Sequence, residues 1–116
     1  MCGIVGIISN QSHQKINLSL DKIAHRGPDS HGIYSHENLS LGHRRLSIID
    51  LSENGHQPMI SNCGNFVLIF NGEIYNHLEV RAKLEPKYTF KSHSDTETLL
   101  YGFIEFGSEI LNMLNG

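Results

Sequence analysis

The sequence predicts an α+β fold, and three stretches carry that prediction. Cys2 to Ser9 is apolar and β-branched with glycines at 3 and 6, the composition of a buried strand approached closely by another backbone or a ligand. Phe66-Val67-Leu68-Ile69-Phe70 is the clearest strand of the chain and, apolar at every position, is expected in a sheet covered on both faces. Ser94 followed three residues later by Glu97 is a capping box, and Leu99, Leu100, Phe103 and Ile104 continue it as an apolar helical stripe up to Gly107.

The remaining elements follow in order. Ile16, Leu20, Ile23 and Ala24 recur at helical spacing and predict one amphipathic helix before the turn-rich "HRGPDS". Residues 31–50 read as two or three short strands, with Glu37-Asn38 turning between Gly32-Ile33-Tyr34 and Leu39-Ser40-Leu41, and residues 52–59 read as a loop. A short helix over about 75–84 stops before Pro86, where the residue preceding a proline is pushed out of helical geometry. Tyr88 to Ser92 alternates like an edge strand, and a last short helix covers Ile110 to Leu114. With 116 residues, no internal repeat and no linker composition, the whole of 1–116 is expected to form one domain.

Composition narrows the partners. The formal net charge is -3 and no basic run exceeds Arg44-Arg45, so no electrostatic footprint for nucleic acid or an anionic membrane is present. The apolar run after Met1 is short, carries two glycines and lacks a basic lead, which argues against a signal peptide or membrane span and for the cytoplasm. Two cysteines are too few for a disulfide framework. Eight histidines raise the question of zinc, but His31 and His36, the one pair near ligand spacing, would face opposite sides of a strand, and no metal is expected. His25, His43 and His56 border turns and are expected to hydrogen-bond loop backbone, and Cys63, in the polar "SNCGN" turn, is expected to be inert.

Four positions could carry chemistry, each with a plain alternative. Cys2 is either a small buried strand residue or, once Met1 is removed, a nucleophile bearing its own base, since a free α-amine titrates near pH 7.7–8.0. Asn71-Gly72 is either a common turn dipeptide or a pair of donors, side-chain amide and backbone N–H, aimed at a developing oxyanion. Arg45 is either an ion-paired strand residue or a bidentate grip on a carboxylate, and strand alternation sends Arg44 to the other face. Asp95 is either a helix-dipole partner or a grip on an ammonium group.

The order of the motifs adds more than any one of them: "MCGIVG" at 1–6, "RGPDS" at 26–30, "HRRLSIIDLS" at 43–52, "GHQPM" at 55–59, "FNGEIYNH" at 70–77 and "SDTE" at 94–97. Together they resemble the class II glutamine amidotransferase domain, in the form found in glutamine-hydrolysing asparagine synthetases. Sugar-phosphate amidotransferases typically read RGYDS, RWAT and NGIIEN at three of these places. The resemblance implies an N-terminal-nucleophile hydrolase fold, an αββα sandwich of antiparallel sheets between helix layers. It also implies that Cys2 attacks the glutamine amide, that Asn71 and Gly72 form the oxyanion hole and that Arg45 binds the α-carboxylate. The backbone of Leu46, Ser47, Ile48 and Ile49 would line the pocket, with Glu73 and Asp95 on the α-amine.

In that family further strands complete the second sheet, and a synthetase domain that binds ATP, magnesium and aspartate follows. The chain is therefore expected to be the first part of such a domain, with no cofactor of its own. Missing strands would leave a sheet edge and an apolar face open to self-association. The expected partners are L-glutamine and either a second copy or the absent synthetase domain. The donor half does not encode the acceptor, so a sugar or another carboxylate stays open beside aspartate, as does a remnant kept for binding or assembly.

Overall fold

A computed structural model describes residues 2–47 and 53–116. The described chain falls into two compact units. The first contains β1 (Gly3–Ile8), α1 (Ser12–Lys22), a 3-10 turn at Ala24–Arg26, β2 (Ser30–His36) and β3 (Leu39–Arg45), joined by residues 56–58 and 69–71. The second contains a 3-10 turn at Glu53–Gly55, β4 (Met59–Ile60), β5 (Val67–Leu68), α2 (His77–Leu84), α3 (Asp95–Phe106) and a 3-10 helix at Gly107–Asn112. These are antiparallel sheets interspersed with helices, consistent with an N-terminal-nucleophile hydrolase-type fold.

In the first unit the sheet order is β1-β3-β2, antiparallel throughout, with Gly3 opposite Arg44 and Ser30 opposite Arg45. The hairpin turns at the expected Glu37-Asn38, Glu37 taking a left-handed φ of 49°, and the turn is fastened by Ser9 N–H to Asn38 O at 2.7 Å. Helix α1 lies on one face of the sheet because Ile16 and Leu20, one turn apart, are both about 1% exposed, a burial worth roughly 1.5–3 kcal/mol for each. Gly42 permits that approach, since a Cβ there would come within 2.9 Å of both Leu20 methyls. The same face carries Ser40, whose hydroxyl donates to Ser12 Oγ at 3.2 Å, and Arg44, which donates to Leu20 O and pairs with Asp21 at 2.9 Å. By alternation Leu41, His43 and Arg45 point to the other face.

The second unit is centred on Val80, Leu84, Tyr101 and Ile110, with Tyr88 tilted against Tyr101 and Phe90 edge-on to it at ring-centroid distances of 5.0 and 5.3 Å. Beneath this core lies a buried polar cluster. Arg81 donates to Thr98 Oγ1 and to the carbonyls of Ser92 and Ser94, while its guanidinium lies 4.3 Å from the Phe90 ring centroid. Glu97 accepts from the Lys91 and Ser92 N–H groups and from the Ser92 hydroxyl.

Several expectations need correction. The strand expected over Phe66–Phe70 pairs only at Val67–Leu68, Phe66 is 40% exposed, and the rest is half-buried rather than covered on both faces. Tyr88–Ser92 is not a strand: the Lys91 and Ser92 N–H groups that would join a ladder go to the Glu97 carboxylate. For the same reason the capping box is half made. Glu97 N–H reaches Ser94 Oγ at 3.2 Å, but Ser94 N–H is taken by Ser92 Oγ. The apolar stripe of α3 is displaced, with Phe103 49% exposed and Thr98 and Tyr101 buried beside Leu100. The final helix is 3-10 and ends at Asn112. Among the described residues no helix is long and apolar enough to cross a membrane.

Candidate functional site

Cys2 precedes β1, and the ladder that sets Gly3 opposite Arg44 carries Cys2 toward Arg45, on the face away from α1. Its thiol is half-buried and exchanges hydrogen bonds with the backbone of one residue: Sγ donates to Leu46 O at 3.6 Å and accepts from Leu46 N–H at 3.3 Å. Arg45 is buried, and its carbonyl accepts from Asp29 N–H at 3.1 Å. The Asp29 carboxylate then takes Ser47 N–H at 2.8 Å. "RGPDS" is thus a brace against the strand end that carries Arg45, Leu46 and Ser47. Gly27 is seated so tightly on the Arg44–Arg45 peptide that a Cβ would collide with it. Ile48 and Ile49 lie outside the described residues.

Asn71 belongs to the first unit and Gly72 to the second. The segment leading to Asn71 is held by Phe70 N–H donating to Gln57 Oε1 at 2.6 Å. Glu73 and Asp95 lie in the second unit, linked through the residue that follows Glu73: Asp95 Oδ2 accepts from Ile74 N–H at 2.9 Å. Asp95 is buried at the start of α3, so its carboxylate is a structural acceptor as well as a dipole partner. Beyond it, Tyr75 N–H donates to Asn115 O and Asn76 bridges to Met113 and Asn115, so the C-terminal turn grips "EIYN". His77 follows. Burial lowers its pKa, Asp95 pulls it back up and Arg81 adds to the drop.

The family resemblance assigned Cys2, Arg45, Leu46 and Ser47 to one pocket; in the structure Cys2 hydrogen-bonds the Leu46 backbone, between Arg45 and Ser47 at the end of β3. Sequence reasoning missed the roles of Asp29, Gln57 and Arg81, which act through partners distant in sequence, and it gave Glu97 a capping role where the carboxylate instead takes the nearby Lys91 and Ser92 N–H groups. It also misplaced His43. Rather than bonding loop backbone, His43 is fully buried in mid-strand with neither ring nitrogen hydrogen-bonded. Burial lowers its pKa to about 4; the nearby Phe70 backbone counteracts this without reaching hydrogen-bond geometry, and His56 and Arg45 add to the drop.

The imidazole is therefore neutral in the fold while the unfolded chain titrates normally. Above pH 6.5 neither state carries the proton and His43 has no effect; between pH 6.5 and about 4 only the unfolded chain takes it up. Acidification across that window should cost up to about 3 kcal/mol of stability. Urea unfolding of the wild type and His43→Asn at pH 7 and pH 4.5 checks this, and equal losses in the two proteins would contradict it.

Comparison with known proteins covers the whole chain. The glutamine amidotransferase domain family matches residues 1–116. The chain is 43% identical over its full length to asparagine synthetase [glutamine-hydrolyzing] 1 of Bacillus subtilis, covering 20% of that protein. It is 40% identical to asparagine synthetase B [glutamine-hydrolyzing] of Escherichia coli, covering 22%, and 35% identical to amidase chry2 of Gibberella zeae, covering 20%, in both cases over its full length. The chain thus spans about a fifth of the length of these relatives. With the family matched from first residue to last, this chain belongs to the glutamine amidotransferase domain family.

Proposed function

We propose that this chain is the glutamine-hydrolysing part of an asparagine synthetase-like enzyme of the cytoplasm. What supports the reading most is the placement of Cys2: its thiol is held by the Leu46 backbone, immediately after Arg45, on the face of the sheet away from α1. With Met1 removed, the α-amine takes the thiol proton as sulfur attacks the side-chain carbonyl carbon of glutamine. Asn71 and Gly72 donate to the oxygen that becomes negative. Collapse breaks the C–N bond, the proton passes to the leaving nitrogen, and ammonia departs from a γ-glutamyl thioester. Water then attacks the thioester, releasing glutamate and restoring the thiol.

Arg45 takes the α-carboxylate, the backbone of 46–49 lines the pocket, and Glu73 and Asp95 meet the α-amine. Asp95 has Oδ2 committed to Ile74, so Oδ1 is the atom it would present. ATP and magnesium belong in this reading to a separate synthetase part that aminates aspartate. The relative named as an amidase keeps another acceptor in view, because the glutamine-side motifs are independent of the acceptor.

Ammonia release from glutamine, measured on the Met1-free chain, tests the reading. Arg45→Ala should weaken glutamine binding by about 2–5 kcal/mol, the range for truncating one member of a buried charged pair. Unchanged affinity would remove Arg45 from the pocket.

A further inference from the structure

We infer that Gln57 is a positioning residue for Asn71, an inference that rests on the glutaminase reading above. The β5 ladder ends at Leu68, so the N–H of Phe70 needs another acceptor as the chain runs toward Asn71. Gln57 Oε1 supplies it at 2.6 Å, and Gln57 is itself only 6% exposed. One peptide separates that fixed N–H from the Asn71 side chain.

Gln57 is held in turn from behind. Gly32 on β2 packs so closely against the Gln57 carbonyl that a Cβ at 32 would collide with it and lie 2.6 Å from His56 Nε2. Gly32 stands opposite His43 in the ladder, and His43 is the buried neutral ring beside the Phe70 backbone. A continuous series of packed groups therefore runs from the β2–β3 hairpin through Gln57 to Phe70, all within the first unit. An oxyanion donor works only if held within about 0.5 Å of its productive place, which an unbraced residue entering a glycine turn would not achieve. The "GHQPM" motif then has a task in catalysis although it touches no reacting atom.

The test uses the Met1-free chain with Gln57→Leu, which removes the acceptor, and Gln57→Asn, which keeps the amide but is one methylene too short. The second carries the test should the first fail to fold. In amide NMR spectra, Phe70 N–H should lose its exchange protection and the Asn71 side-chain NH2 resonances should move in both variants. In the glutaminase assay kcat should fall about 10- to 100-fold with KM within about twofold, because the oxyanion exists only in the transition state. Unchanged Phe70 protection and Asn71 resonances in a folded variant would overturn the inference, as would a change confined to KM. Absence of Cys2-dependent ammonia release from the wild type would sink the glutaminase reading instead, and the NMR comparison would still decide whether Gln57 holds Asn71.

Discussion

Replacing Cys2 by Ala should reduce ammonia release from glutamine to the uncatalysed background while leaving the melting temperature nearly unchanged. In the proposed mechanism the activity loss follows directly: without sulfur no thioester would form, and the proposed oxyanion donors and α-carboxylate grip would have nothing to assist. Stability should be insensitive because the thiol is half-buried and its two hydrogen bonds, at 3.3 and 3.6 Å to the Leu46 backbone, are long. Cys63→Ala is the matching control. That thiol sits exposed in a turn against Ser61, outside the motifs, and its loss should leave activity intact. Retention of measurable glutaminase activity by Cys2→Ala would contradict the assignment.

Arg81→Met should be the most destabilising change in the second unit, by about 3–5 kcal/mol, the cost of removing one partner from a buried charged cluster. Met preserves the stem and its apolar packing but strands the Ser92 and Ser94 carbonyls, the Thr98 hydroxyl and the Glu97 carboxylate, which lies 3.9 Å from the guanidinium. Against a total of about 5–15 kcal/mol for a domain of this size, such a loss approaches unfolding. By contrast, the exposed pair Lys87–Glu105, 2.6 Å apart, should be nearly dispensable, since exposed pairs contribute about 0–1 kcal/mol. Urea unfolding of Arg81→Met and Lys87→Met side by side checks both. A loss below about 1 kcal/mol for Arg81→Met would mean that the cluster does not hold residues 92–98 in place.

These networks also explain what the sequence could and could not convey. Period and turn chemistry are local, so Ile16 and Leu20, the Glu37-Asn38 hairpin and the halt at Gly107 were legible in advance. Strand alternation also separated Arg44 from Arg45, although the family resemblance was needed to choose between them. What failed was non-local. Tyr88–Ser92 has strand-like alternation, yet its N–H groups find a carboxylate several residues ahead. Phe66–Phe70 has strand composition, yet Gln57, far back in a loop, takes the Phe70 N–H. His43 sits among loop-bordering residues in sequence, yet it is fully buried with the Phe70 backbone and His56, both distant in sequence, close to its ring. Glu97 fits a capping-box pattern, but Ser92 and Lys91 offer its carboxylate better donors.

The central claim is that Cys2 is the nucleophile and that glutamine is what it attacks. The most direct measurement is to treat the Met1-free chain with a glutamine analogue bearing a diazoketone in place of the side-chain amide and to map the adduct by peptide mass spectrometry. The account predicts a single adduct on Cys2, suppressed by excess glutamine, with Cys63 unmodified. An adduct on Cys63 with Cys2 untouched, or labelling of Cys2 that glutamine does not protect, would contradict it.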